Sequence, residues 1–254
     1  MPLISTLTYS AMNRGGIREV LSMSGIKLYS VSDSPPSFAV RLGLEALGLP
    51  YSVVEVDYAA GEHLTAEYAK KNPQKEIPCL DDNGFLLSES IAILQYLGDK
   101  YDKDGKLYYK DPQQRAAINH RLAFNISTYY KNISEYVVAP IFYAYEQTPL
   151  GLKKLKVALS VFNTILENQG TKYAAGETLT IGDLPLVTAT MCLEATNFDF
   201  SEYSHITRWY ANFKKEYPKL WAVAEPAMKE LHTFYKNPPD LSALNHPFHP
   251  ARKQ

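Results

Sequence analysis

Two short stretches of this 254-residue chain carry residue types at spacings that suit chemistry. The first is Ser34-Pro35-Pro36-Ser37, which lies between a short strand signal at 27–31 and a helical stripe of Val40, Leu44 and Leu47. Consecutive prolines are tolerated where a helix begins, because the first-turn N–H groups have no intrahelical partner. Ser34 therefore stands just before the first turn. Its hydroxyl can serve as an N-cap, or it can donate to a bound thiol and hold the sulfur ionised. Ser34 and Ser37 fall where a thioredoxin-type protein carries Cys-x-x-Cys, and serine at both places excludes disulfide exchange by these residues. The second stretch, 72–101, reads Asn72-Pro73-Gln74-Lys75-Glu76-Ile77-Pro78-Cys79-Leu80, a turn, Phe85-Leu86-Leu87, then Ser88-Glu89-Ser90 and an apolar run. Pro78 removes a ladder donor, which confines it to a strand start or edge, and Ile77-Pro78 is a candidate cis bond. Asp82-Asn83-Gly84 predicts a hairpin turn. Ile93, Leu94, Leu97 and Tyr101 predict a helix that opens at Ser88-Glu89-Ser90. A helix N-terminus beside exposed backbone at Ile77 suits a small anionic peptide.

Positioning these residues takes a strand at 27–31, a helix at 38–47 and a strand at 51–56, a parallel β-α-β unit to which the hairpin adds antiparallel strands. That is a thioredoxin-like α/β domain, expected over 26–103. Gly61-Glu62-His63-Leu64 leads into a short helix ending near Lys71, and in such a place His63 reads as a surface loop residue. Residues 102–110 read as a linker. Asp111-Pro112 marks a helix start, and no strand signal persists from there to 235, so an all-helical domain is expected over 104–236. One or two long helices fill 113–145, with Pro140 kinking the second half. Residues 152–168 are amphipathic, and Gly170 stops them. Thr180-Ile181-Gly182-Asp183, preceded by Leu179, is a capping signature whose role is in folding. Helices at 206–216 and 220–235 close the domain. Residues 1–25 read as a disordered extension, with Met23 as an alternative start, or else as a mitochondrial-type transit peptide. Residues 237–254 form a Pro/His-rich tail, disordered or packed over a site entrance.

A net charge of −1 and the lack of a basic stripe give no case for a nucleic-acid partner. No stretch approaches the roughly 18 apolar residues of a membrane span. Cys79 and Cys192 are the only cysteines, so a disulfide framework is excluded and a reducing cytoplasm is expected. His232, His246 and His249 lack the spacing and neighbours of a metal site, and no metal is expected. Nineteen tyrosines suit half-wet cavity walls and interfaces.

The order Asn-Pro, four residues, Pro78, hairpin and Glu89-Ser90 resembles the glutathione-binding half of the cytosolic glutathione transferases. The likeness runs over about 27–235 and lies near the insect delta and epsilon classes or an unclassified insect class. It implies a homodimeric, cytoplasmic enzyme that conjugates reduced glutathione, its co-substrate, to hydrophobic electrophiles in xenobiotic or insecticide detoxification, without metal, nucleic acid or membrane. Ser34 then takes the catalytic place. Free thiols have a pKa of about 8.5, and lowering it by about two units is worth roughly 2.7 kcal/mol. One hydrogen bond to a charged acceptor offers about 1.5–3 kcal/mol, and a helix N-terminus adds about 0.3–1 kcal/mol. The remaining roles also follow from the resemblance. Glu89 pairs the γ-glutamyl ammonium, and Ser90 takes the adjacent carboxylate. Ile77, between Glu76 and Pro78, gives two backbone hydrogen bonds to the cysteinyl unit, as an added strand would. Lys75 is placed for the glycyl carboxylate, with His63 nearby, and Pro36 is counted among the glutathione-binding residues. Two residues depart from the pattern: Lys75 stands where insect members usually have His, and Ile91 where they usually have Arg. The electrophile is expected against Tyr130, Ile133, Ser134, Val137, Val138 and Ile141, mostly apolar side chains on one long helix. The competing reading is a non-catalytic carrier of glutathione or hydrophobic ligands on the same fold. Peroxidase or isomerase use of the same thiolate is not separable by sequence.

Overall fold

Alternation along Ile26–Ser30, with Ile26, Leu28 and Ser30 buried, makes the central strand β1. The computed structural model describes residues 25–242, so the expectations for 1–24 and for 243–254, among them Met23, His246 and His249, lie outside the described residues. β1 pairs in parallel with β2 (Ser52–Glu55) and antiparallel with β3 (Cys79–Asp82), and β3 pairs with β4 (Phe85–Ser88), giving the order β2-β1-β3-β4. The β3–β4 turn uses Asn83 and Gly84 at φ 56° and 91°, the left-handed conformations that this pair of residues tolerates best. Ile77-Pro78 is cis and immediately precedes β3.

Helices α1 (Pro35–Ala46) and α3 (Ser90–Tyr101) cover the sheet, with Val40, Leu44, Ile93 and Leu97 packed on Ile26, Leu28 and Leu80. They meet at Gly43, where a Cβ would lie 2.5 Å from Leu94 Cδ2. The short helix α2 (Ala66–Ala69) follows a 3-10 turn at Glu62–Leu64. Asp82, buried at the end of β3, accepts hydrogen bonds from Tyr96, Lys100 and Tyr101, each 2.7 Å long. Burial alone would raise its pKa, but the bonds from Lys100 and the two tyrosines hold the carboxyl well below the usual carboxylate range.

Beyond the linker come α4 (Pro112–Phe124), α5 (Tyr130–Ile133) and α6 (Ala139–Tyr143). They form one helical run broken by π turns at Asn125–Tyr129 and Ser134–Val138. Pro140, which lacks an N–H and crowds the preceding turn, accounts for the second break. α7 (Pro149–Gln169) ends at Gly170, φ 66°. α9 (Ser204–Glu216) and α10 (Pro218–Lys236) close the domain. Between them and the first domain lies α8 (Asp183–Ala195), in which only Glu194 escapes burial. Asp183 holds the start of this helix by accepting from Ala174 N, Thr180 N, Thr180 Oγ1 and Trp209 Nε1 at 2.8–2.9 Å. The bond from Thr180 N is the return half of a capping box. α8 packs against α1 and α10, which seats the helical domain on the sheet domain. Among the described residues no helix is long and apolar enough to cross a membrane.

Candidate active site

The site is built from the N-terminus of α1. Ser34 has extended backbone (φ −78°, ψ 112°), and its Oγ accepts the Ser37 N–H at 3.3 Å while Pro35 and Pro36 fill the first turn. The cap uses a lone pair of the hydroxyl oxygen, so the hydroxyl proton can be donated elsewhere. The N-cap role and the donor role are therefore compatible.

Ser34 opens on a cleft between the two domains, made of two adjoining cavities that share Pro35, Pro36, Glu76, Ile77 and Tyr130. The first, about 210 Å³, is completed by Pro78, Glu89 and Ser90 from the sheet domain and by Asn125, Ile126, Pro185 and Thr188 from the helical one. The second, about 280 Å³, adds Asp33, Ser34, Tyr58 and His63, facing Ser134, Val138, Phe142 and Tyr143. Side-chain bonds fix the loop that carries Glu76 and Ile77. The Glu76 carbonyl accepts from Asn72 Nδ2 at 2.8 Å and from Tyr68 OH at 3.0 Å. Glu89 sits at φ 67°, a conformation unfavourable outside glycine, and such strain is held at sites that need a side chain aimed. Its carboxylate accepts from Gln74 Nε2 at 2.9 Å, and Gln74 Oε1 accepts from Ser88 Oγ at 3.0 Å.

The structure thus brings Ser34, Pro36, His63, Glu76, Ile77, Pro78, Glu89 and Ser90 to one cleft. Lys75 and Ile91 are placed differently. Lys75 Nζ donates to the Leu64 carbonyl at 2.8 Å, and Ile91 packs, half-buried, against the helical core. Neither lines the two cavities. On the opposite wall Tyr130, Ser134 and Val138 face the cleft, but Ile133, Val137 and Ile141 do not: they are buried in the helical core with Tyr129. The two sets are neighbouring stripes, each spaced by four residues. A regular α-helix would rotate a four-residue stripe steadily around its axis. The π turns, whose hydrogen bonds close one residue later, lengthen the mean repeat to about four and keep each stripe on one face. His63 is also not a surface residue. It is 1% exposed, with its ring stacked 4.3 Å from that of Tyr58.

Sequence reasoning missed Asp33, Gln74, Tyr58, Phe142 and Tyr143. Phe142 continues the spacing from Tyr130, so a signal was present. Tyr58 lies in a loop without pattern, yet its hydroxyl is 2.5 Å from that of Tyr143, closing the cleft across the domains. Burial pushes the hydroxyls of Tyr58 and Tyr130 far above the ordinary tyrosine range, and they stay neutral. Burial likewise raises both cysteine thiols, Cys79 in β3 and Cys192 in α8. A thiolate near neutral pH must therefore come with a ligand. No cluster of acids, histidines and cysteines able to hold a metal occurs among the described residues.

A cleft that offers a hydroxyl donor and no reactive protein sulfur agrees with what the chain is similar to. Residues 24–99 match the family described as glutathione S-transferase, N-terminal domain, and residues 129–216 its C-terminal domain. This chain belongs to the glutathione S-transferases. It is 36% identical over 191 residues to glutathione S-transferase D6 of Drosophila melanogaster, covering 75% of this chain and 88% of that protein. Its structure is similar to that of a diazinon-metabolizing glutathione S-transferase of the silkworm Bombyx mori, with a TM-score of 0.77 and 55% identity over 81% of this chain and 98% of that one. A delta-class glutathione transferase of Nilaparvata lugens gives a TM-score of 0.78 and 38% identity over 83% and 98%. As a glutathione S-transferase, the protein has reduced glutathione as co-substrate. The cavity of Glu89 and Ser90 and the cavity of Ser34, Val138 and Phe142 meet at Pro35, Pro36, Glu76, Ile77 and Tyr130.

Proposed function

We propose that this glutathione S-transferase attacks hydrophobic electrophiles with a glutathione thiolate held by the Ser34 hydroxyl, in the service of xenobiotic detoxification. One observation carries the reading: Ser34 caps α1 through its oxygen, which leaves its proton to donate, and it lines the cavity walled by Tyr130, Val138 and Phe142, where a sulfur would meet an electrophile. The N-terminus of α1 adds its partial positive charge to the same place. Glu89, aimed by Gln74, takes the γ-glutamyl ammonium, with Ser90 at the neighbouring carboxylate. The Ile77 backbone pairs with the cysteinyl unit, between Glu76 and Pro78. Pro36 and His63 border the sulfur and the glycyl end. Among the expected electrophile contacts, Tyr130, Ser134 and Val138 serve, joined by Phe142 and Tyr143.

The chain acts as a twofold dimer in the cytoplasm. Phe85 and Leu86 on the edge strand β4 and Ile126 at the first π turn are large apolar side chains left exposed, as a partner surface requires. The test is conjugation of a halogenated dinitrobenzene by wild type and Ser34→Ala at several glutathione concentrations. Turnover that survives the substitution would sink the assignment of Ser34. A carrier reading has its own support: Lys75 is occupied by Leu64 and Ile91 faces the core, so neither adds charge for the anionic ends of glutathione. Retention on glutathione resin without turnover selects it.

A further inference from the structure

Asp33 immediately precedes Ser34 and lines the same cavity, the one that takes the electrophile. Asp33 and Ser34 line this one cavity together, so a sulfur held by Ser34 brings the reacting centre and its leaving group near this carboxyl. We propose that Asp33 is the general acid of the reaction, protonating the leaving group, and that it directs the enzyme towards electrophiles that expel an aryl oxide or alkoxide. The proposal rests on the conjugation reading above and deepens it.

The surroundings of Asp33 favour its acid form. Behind it a groove gathers Glu55, Asp57, Glu62 and Glu230 with no basic side chain among its lining residues. Glu230, on α10, is brought alongside by Ser32 Oγ, which donates to it at 2.9 Å. Burial first, and then the charges of Glu230 and Glu55, push the Asp33 carboxyl up to about 6. On the cavity side it faces Tyr58 and His63 after β2, Glu76 before β3, and Tyr130 and Tyr143 on the broken helix, with the buried Cys192 of α8 within electrostatic reach. The tyrosines and Cys192 are all raised by burial, which makes them poor acids. Glu76, which lines both cavities, is also raised, by burial first and then by Glu89 of the neighbouring one. The Ser34 proton is committed to sulfur. A bound thiolate adds a further negative charge near Asp33 and strengthens its hold on the proton.

In the step itself the thiolate lone pair forms the bond from sulfur to the electrophilic centre. The bond from that centre to oxygen breaks, and its electron pair goes to oxygen. The Asp33 proton passes to that oxygen, leaving a carboxylate that takes up the proton released as the next glutathione thiol ionises. A halide needs no such proton, and this difference provides the test.

Wild type and Asp33→Asn are assayed with 1-chloro-2,4-dinitrobenzene and with 2,4-dinitrophenyl aryl ethers whose phenols span a range of acidity. General acids contribute about 10²- to 10⁴-fold. The expected result is at least a tenfold fall in the ratio of ether to chloride turnover in Asp33→Asn, steepest for the most basic phenoxide. Ether turnover by wild type falls as pH rises through the Asp33 titration. In Glu230→Gln that limb moves to lower pH, because a neighbouring negative charge is gone. Equal loss on both substrate types, no loss on either, or a limb unmoved by Glu230→Gln overturns the proposal. A wild type inert towards the chloride itself would overturn the conjugation reading first, so the two failures are told apart.

Discussion

Ser34 joins two jobs in one hydroxyl, and each has its own cost when the oxygen is removed. Loss of the bond to sulfur forfeits about 1.5–3 kcal/mol, so Ser34→Ala is expected to lower kcat/KM about 10- to 150-fold. The glutathione-bound thiolate absorbance should also titrate at higher pH in the variant. Loss of the cap costs about 1 kcal/mol of stability, which a urea titration will separate from the catalytic loss. Asp82 makes a different kind of prediction. Its folded carboxyl lies below the unfolded one, so it stabilises the fold at pH above about 4, and that contribution is lost as the pH falls. Asp82→Asn should therefore flatten the acid limb of urea midpoints measured from pH 3 to 7. An unchanged limb would show that other carboxylates dominate.

The broken helix α4–α6 marks where the sequence stopped being a guide. Ser34, Glu76, Ile77, Pro78, Glu89 and Ser90 were legible because turn and cap chemistry is local: two prolines, an Asn-Gly turn and a Ser-Glu-Ser triplet fix backbone within a few residues. The parallel β-α-β unit with its added hairpin was legible too, and the helical second domain followed from the lack of a persistent strand signal, while the order β2-β1-β3-β4 came only with the structure. The facing wall was half legible. Tyr130 and Ile133 both fit a helical repeat, and only the π turns decide that the first faces the cleft and the second the core. Lys75 was misplaced because nothing local shows that its ammonium reaches the Leu64 carbonyl. Tyr58 and Tyr143 meet across 85 positions of chain, a pairing that exists only once the domains dock. The two stripes can be separated by experiment. Ile133→Ala, in the core, should cost about 2–5 kcal/mol of stability and leave the electrophile KM within twofold. Phe142→Ala should raise that KM several-fold with a smaller loss in melting temperature.

The molecule is held as one body by α8 and by what anchors its first turn. Replacing Asp183 with Ala orphans the Ala174 and Thr180 amides and the Trp209 indole, each at about 1–3 kcal/mol. A loss of at least about 3 kcal/mol is expected in urea, and a smaller one would show that water rescues the donors. Assembly should be equally open to test. Sedimentation is expected to give a dimer, and Phe85→Asp, on the exposed edge strand, should shift it to monomer with the circular dichroism spectrum unchanged.

The two π turns also bear on how such an enzyme acquires new substrates. Each is one surplus residue accommodated in a helix, so losing a single codon there restores an ordinary turn and leaves the later side chains on their faces, whereas the same loss in the regular turns of α4 would rotate the later ones by about 100°. Phe142 and Tyr143 would stay at the cleft in the first case and leave it together in the second. A one-residue deletion thus spares the electrophile wall or exchanges it according to which turn it strikes.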